Sequence, residues 1–543
     1  MRKLFRFVFS RFTVIFLAIA GQVALVIAIA VYFSEYYQVI TAISIALRVL
    51  VLLTIFNRDM SADAKLPWSI LVALFPITGF IIYFFFSHNY ASLAERRMFK
   101  KMPQLSLAEK RPEAPPKYLG QLNYLMAMGA PAFTDTDTKY FGCGEDFFVD
   151  YVEELKKAEK FIFLEYFIVE HGKMLDTVLD VLRAKVKQGV EVRLMYDDFG
   201  SLTKVKGSFC RKINKMGIRC VRFAKLKPFV SVMYNNRDHR KITVIDGKVG
   251  YMSGLNLADE YINETHPYGY WKDSAVKMQG NAVSSLTTMF LQMFGMATKR
   301  MEKFDKYLLD TIEHPAEETI PVIREKWEGD ADSNPELLTM EPVMDAPVHL
   351  TVEGLEPTIQ QKGVVAPFGD GPRPIYQEQI GKSVYLHLID QAVHDLYITT
   401  PYLIVDEAFC ESLRRAAQRG VTVNVLIPSI PDKKTVYAMT KHSCKKLMDA
   451  GVRVYKFTRG FVHAKSIVAD GTAAVVGTIN LDYRSFIHHY ECGVYMYETE
   501  AVKQLYLDLA ETLAQSERQH KPPKLNLLER LICILGNVFR PLM

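Results

Sequence analysis

Residues 1–90 carry three long apolar runs in which charge is nearly absent. TVIFLAIAGQVALVIAIAVYF (Thr13 to Phe33) and LPWSILVALFPITGFIIYFFF (Leu66 to Phe86) have none, and VITAISIALRVLVLLTIF (Val39 to Phe56) has Arg48 near its middle. Runs of this length predict membrane-spanning helices, and Pro76 and Gly79 are tolerable within lipid. The run with Arg48 reads either as a third span whose Arg faces other helices, or as a tilted segment with the Arg snorkelling. A cleaved signal peptide fits poorly, because the first apolar core is too long and further runs follow.

The pattern then changes. A basic, Pro-rich linker over 91–135, including PQLSLAEKRPEAPPK (Pro103 to Lys117), separates the apolar region from two units over 136–315 and 358–520. An acidic, Pro-containing connection over 316–357 joins the units. In the first, strand-like KFIFLEYFIV (Lys160 to Val169) is followed by a helix, GVEVRLMYDDFGS (Gly189 to Ser201) and MGIRCVRF (Met216 to Phe223). In the second, DLYITTPYLIV (Asp395 to Val405) leads through a helix to GVTVNVLIPSIPD (Gly420 to Asp432) and AGVRVYKF (Ala450 to Phe457). Strands alternating with helices predict an α/β fold, with a mostly parallel or mixed sheet and helices on its faces. The amphipathic tail over 521–543 reads as a helix packed on the protein or lying at a membrane interface. The chemistry is expected to need nothing before about Leu119.

Each unit ends in the same local pattern. DHRKITVIDGKVGYMSGLN (Asp238 to Asn256) and FVHAKSIVADGTAAVVGTIN (Phe461 to Asn480) agree in their offsets. His239, Lys241, Asp246, Gly247 and Asn256 match His463, Lys465, Asp470, Gly471 and Asn480. A duplication kept only for folding explains the Asp-Gly turns and the apolar alternation, but gives no reason to keep His, Lys and Asn in both copies.

Composition changes the picture little. The 49% hydrophobic content comes mostly from the first hundred residues, and a net charge of +6 suits an anionic surface without specifying one. Seven scattered cysteines form no CxxC pair, so a metal site or disulfide framework is not expected and buried free thiols are. Arg2, Lys3, Arg6 and Arg11 favour a cytoplasmic N-terminus, whereas Arg96, Arg97, Lys100 and Lys101 conflict with it for three spans. The side of the membrane therefore stays open, and no oligomeric state is assigned.

On a strand, residues two apart face the same way, so each unit offers a His and a Lys together, with an Asn past the turn. If the units pack face to face about a pseudo-two-fold axis, one site holds two His, two Lys and two Asn. That set suits a phosphodiester. Ammonium and amide donors stabilise the phosphoryl oxygens, one imidazole attacks phosphorus, and the other handles the leaving and incoming alcohols. No metal or other cofactor is required. The Asp of each motif is easily taken for a catalytic partner. However, Asp246 lies at an odd offset from His239 and precedes a Gly, as Asp470 does relative to His463, which favours a structural turn role. Asp273 in YWKDSAV and Glu491 in HHYECGV are the candidate acids for the imidazoles.

The doubled HxKx4D pattern with its downstream Asn resembles the phospholipase D superfamily. NNRDHRKITVIDGKVGYMSGLNLADEY, TTPYLIVDE and GFVHAKSIVADGTAAVVGTINLDYRSF, behind apolar segments, narrow the resemblance to bacterial cardiolipin synthases. The resemblance implies two tandem phospholipase D-like units and transfer of a phosphatidyl group between two phosphatidylglycerols through a phosphohistidine, with His239 as nucleophile. It also implies that each histidine pairs with an acid in the downstream region. Water as acceptor, phosphatidylethanolamine as a second substrate and an inactive membrane scaffold are the competing readings. A nucleic-acid substrate would not explain the apolar segments. The chain departs from the pattern at Ser253-Gly254, where the second copy has Gly477-Thr478. The Thr478 hydroxyl is therefore expected to lack a twin in the first half.

Overall fold

A computed structural model of the chain describes residues 20, 21, 24, 36–58, 62–87, 93–102, 116–225, 235–308 without 303, and 363–538 without 374. The connection 316–357 and most of the first apolar run, 13–33, lie outside these residues.

The second apolar run is the continuous helix Tyr37–Asn57, with Arg48 near its middle. The third is not one helix. It breaks at Phe75 (φ −128°, ψ 79°) into Ala62–Leu74 and Pro76–Phe86, of 13 and 11 residues. Pro76 causes the break, because a proline pushes the residue before it out of the helical region. The three helices pack around Val51, Ile55, Trp68, Leu71, Val72 and Ile82. No helix among the described residues is long and apolar enough to cross a membrane, and the expectation of one uninterrupted span over Leu66 to Phe86 is corrected to two short helices.

The first unit contains β1 (Asp137–Phe141), β2 (Phe161–Tyr166), β3 (Glu191–Asp197), β4 (Arg219–Phe223), β5 (Ile242–Ile245), β6 (Val249–Ser253), β7 (Tyr270–Lys272) and β8 (Ala275–Gln279). The second contains β9 (Val364–Asp370), β10 (Asp395–Thr399), β11 (Leu403–Ile404), β12 (Thr422–Pro428), β13 (Arg453–Phe457), β14 (Gly460–Val462), β15 (Ser466–Ala469), β16 (Ala473–Gly477), β17 (Leu481–Asp482), β18 (Glu491–Tyr497) and β19 (Glu517–Arg518). The first sheet runs β1-β8-β6-β5-β2-β3-β4 and the second β9-β18-β16-β15-β10-β12-β13-β19. Apart from the added β19, the two orders match strand for strand. The duplication seen in the motifs is therefore a duplication of the sheet. In each, three strands are parallel (β2, β3, β4 and β10, β12, β13) and the rest antiparallel, the mixed case.

The sheets share one core. Val244, Met252 and Val276 of the first sheet and Val468, Val476 and Val494 of the second cluster with the helix Val283–Thr298, which is buried along most of its length. Burying each such side chain is worth about 1.5–3 kcal/mol, so the units are held in a fixed relation. Phe99, Met102 and Tyr118 are also buried in the cores. The folded core thus reaches back past Leu119.

Candidate active site

His239 and Lys241 lie just before β5, and His463 and Lys465 just before β15, rather than within the strands as expected. Asn256 and Asn480 come three residues after β6 and β16, also off the strand. What fixes the histidines is pairing between the units. β14 runs parallel to β7, and the amide of His463 donates to the carbonyl of Lys272 at 2.7 Å. On the other side Asp238 bridges to Tyr490, and the amide of His239 donates to the Tyr490 carbonyl at 2.9 Å. Lys272 and Tyr490 each precede one of the candidate acids. Each imidazole is thereby set against the acid of the opposite unit: His239 Nδ1 lies 2.9 Å from Glu491 Oε2, and His463 Nδ1 lies 2.6 Å from Asp273 Oδ2.

All four groups are buried, as are both lysines. Burial first, then the charge of Lys241, holds His239 well below the usual imidazole value. Burial and Lys465 bring His463 down to about 4, against an opposing pull from Asp273. Burial pushes Lys241 down to about 8 and Lys465 to about 7. Asp273 is pushed up by burial, but His463 and Lys465 outweigh this and hold it below the ordinary carboxylate value. Lys241 Nζ donates to the carbonyl of His239 at 2.5 Å, and Lys465 Nζ to that of His463. Both ammonium groups sit beside the imidazoles.

The acids are held differently. Thr478 donates to Glu491 Oε2 at 2.5 Å. Gly254 occupies the matching place in the first half, where an added Cβ would lie 2.0 Å from Asp273 Oδ1. The missing twin of Thr478 is thus a residue that must be small. Gly254→Ala should displace Asp273 and lower kcat by at least about tenfold, because a misplaced orienting group costs about that much per 1.4 kcal/mol. Unchanged kcat in a Gly254→Ala protein would refute it.

Asn256 accepts from the amide of Ile168 at 2.9 Å and donates to the Tyr261 hydroxyl at 2.6 Å; the Tyr261 ring lies 5.4 Å from His463. Asn480 Oδ1 is buried without a hydrogen-bond partner among the described residues. Asp246 and Asp470 do not join the cluster. Asp246 accepts from the amides of Glu159, Lys160 and Phe161 at 2.7–2.8 Å, and Asp470 from those of Val393, His394 and Asp395 and from Lys117. Both have positive φ (55° and 53°), as do Gly247 and Gly471, the conformation that Asp-Gly hairpin turns favour. The carboxylates of Asp246 and Asp470 are thus engaged by backbone amides at the turns, and neither contacts an imidazole in the way Asp273 and Glu491 do.

Two neighbours were not singled out in the sequence. His489 and Trp271 each stand two residues before an acid and occupy matching places. Trp271 Nε1 lies 3.4 Å from Asp273 and its ring 5.1 Å from His463; His489 Nδ1 lies 3.5 Å from Glu491 and its ring 5.3 Å from His239. The doublet His488-His489 before an acid was the available signal. Arg240 is fully buried and ties the units, donating to the carbonyls of Glu491 and Asp370. Contrary to the expectation of no metal-ligand cluster, His239, His489 and Glu491 present ligand atoms within 4.8 Å of one another. The two neighbouring ammonium groups oppose a cation there.

Residues 151–293 and 385–512 match the family described as cardiolipin synthase, PLD-like domain. Residues 46–87 match the phospholipase D-nuclease N-terminal family. A cardiolipin synthase of Alkalihalophilus pseudofirmus is 30% identical over 477 residues, covering 86% of this chain and 85% of that protein. A cardiolipin synthase of Staphylococcus aureus is 30% identical over 488 residues, covering 86% and 88%. An uncharacterized protein of Streptococcus mutans is 38% identical over 86% of this chain and 93% of its own length. Among solved structures, a phosphatidylserine synthase of Haemophilus influenzae superposes with a TM-score of 0.52 at 13% identity, covering 77% of this chain and 97% of that one; this is a likeness of fold. Since the two cardiolipin synthases are matched over most of their length at 30% identity, and the family model covers the core of both units, the chain belongs to the cardiolipin synthase family of the phospholipase D superfamily.

Proposed function

We propose that the protein is a phosphatidyltransferase that joins two phosphatidylglycerols into cardiolipin and glycerol. The observation that carries this is the pair of buried His–acid contacts crossing between the units, each beside a buried lysine. With its Nδ1–H directed at Glu491, His239 presents a free Nε2 lone pair to phosphorus. Every leading influence on its pKa keeps it neutral, which suits the nucleophile. Attack forms the N–P bond of a phosphatidyl-histidine and breaks the P–O bond to glycerol. His463 is held neutral by burial and Lys465 until substrate binds; Asp273 and the negative charge of the bound phosphodiester together favour the imidazolium, which gives glycerol its proton. His463 then takes the proton of the glycerol hydroxyl of a second phosphatidylglycerol, which attacks phosphorus and frees His239. Lys241 and Lys465 neutralise the non-bridging oxygens.

The substrates also suit the N-terminal region. Val39, Ile43, Leu50, Phe56, Leu66 and Leu74 are exposed on its helices, and we read this surface as the attachment to the bacterial cell membrane. Purified full-length protein given labelled phosphatidylglycerol should yield cardiolipin and glycerol. Phosphatidic acid as the sole lipid product would overturn the transferase reading.

The lysines set a pH dependence. Their folded pKa values lie below the ordinary 10.5, so each loses its charge as pH rises past its folded value. Values of kcat/KM should therefore fall between about pH 7 and pH 9. Lys465→Arg keeps its charge and should move the start of this limb upward by about one pH unit, to where Lys241 titrates at about 8. For stability the sign is opposite. The unfolded chain keeps these protons to higher pH, so stability rises through the same window. Lys241→Ala and Lys465→Ala should lose turnover while the melting temperature at about pH 6 holds or rises. A kcat/KM that stays flat through that range contradicts the role.

A further inference from the structure

The C-terminal helix Leu527–Val538 is packed the wrong way round for a protein surrounded by water. Its inner face is Glu529, Ile532, Cys533 and Gly536. Cys533 Sγ donates to the Ala438 carbonyl, Gly536 lies against Met439, and Glu529 pairs with Lys441 at 2.7 Å. Its outer face is Leu527, Leu528, Leu531, Ile534 and Leu535, exposed by 84, 66, 51, 63 and 49%. These positions recur at helical spacing, so the outward stripe is continuous. A soluble surface helix turns such a stripe inward, and an apolar face turned outward marks an interaction site.

Two further observations identify what covers it. The helix also touches Ala62–Leu74 of the N-terminal bundle, whose own exposed side chains include Leu66, Ile70 and Leu74. The stripe therefore continues the apolar surface that we read as membrane-attached. Lys521, Lys524 and Arg530 are exposed around it, the arrangement of a helix lying in an anionic lipid interface. The helix beneath it, Lys434–Asp449, leads to the active site. Its Tyr437 lines a small cleft with Tyr402, Pro428, Lys433 and Phe461, and the Phe461 ring lies 5.9 Å from His463.

We propose that Leu527–Val538 lies in the lipid interface with Leu527, Leu528, Leu531, Ile534 and Leu535 buried among the acyl chains, holding the cleft beside His463 at the membrane surface. This rests on the membrane attachment proposed above. The probe is the full chain carrying Leu531→Trp, in vesicles of phosphatidylglycerol and phosphatidylcholine with or without brominated acyl chains. The emission added by the new indole should fall at least about twofold on brominated lipid, since the side chain would sit in the acyl region. Leu528→Glu/Leu531→Glu/Ile534→Glu should lower turnover on phosphatidylglycerol vesicles by at least about tenfold, given the apolar area withdrawn from lipid, and leave turnover on dispersed short-chain phosphatidylglycerol unchanged. If the parent protein fails to float with vesicles, the attachment reading falls together with this one. If it floats but the added indole is unquenched, or the triple variant works equally well on vesicles, this inference alone is overturned. Self-association of the parent that the triple variant abolishes would assign the face to a second copy instead, and also overturns it.

Discussion

His239→Ala and His463→Ala should each lower turnover by about four orders of magnitude or more, the scale on which removing one member of a nucleophile–base unit acts. In the proposed first half-reaction one imidazole is bound to phosphorus while the other protonates the departing glycerol, so neither can do both jobs. The geometry adds a sharper expectation. His239 is oriented by Glu491 and His463 by Asp273 within a single chain, so mixing the two inactive proteins should not restore activity. Acid-quenching the wild type during turnover should trap the phosphatidyl group on His239. An adduct on His463 would exchange the two roles. Recovery of activity on mixing would mean that sites are completed between chains.

Much of this could be read in the sequence because it is local. Two offsets of two residues, two Asp-Gly turns and two alternating β runs announced the duplicated unit, and the matching strand orders are its three-dimensional form. Asp273 and Glu491 were also found as candidates, from the need of an imidazole for an acceptor. Which acid serves which histidine was not legible. The crossing is set by backbone pairing of residues 460–462 with 270–272 and of Asp238 with Tyr490, contacts between segments nearly two hundred or more residues apart. The same distance hid Arg240, which reads as an ordinary charge inside a motif and is buried between the units. The helix break at Phe75 was misjudged for a different reason. An apolar count treats Pro76 as one more tolerable residue, whereas the backbone before it must leave the helical region.

Asp273→Asn should cost about three to four orders of magnitude in turnover, and Asp246→Asn almost none. The two aspartates differ in what their oxygens touch. Asp273 accepts from His463 Nδ1 at 2.6 Å; an asparagine there offers an amide of no charge, which neither favours the charged imidazole nor fixes the tautomer with Nε2 free. Loss of that acceptor in a comparable His–acid pair costs about 10⁴-fold. The fold should survive, because Asp273 is nearly isosteric with Asn and its other oxygen accepts from the Ser274 amide. Glu491→Gln should behave alike through His239, less severely, since Thr478 still holds the side chain in place. Asp246 instead binds three successive amides, of Glu159, Lys160 and Phe161, at the edge where β2 begins. Hydrogen bonds from amides to a charged acceptor are worth about 1.5–3 kcal/mol each. An asparagine keeps one acceptor oxygen and tolerates positive φ, so Asp246→Asn should lower the melting temperature by several degrees while turnover of the folded fraction stays within about twofold. Melting curves and kcat for the three variants decide between the roles. A stable but inactive Asp246→Asn beside a fully active Asp273→Asn would return the motif aspartate to the chemistry and remove the cross-unit acid from it.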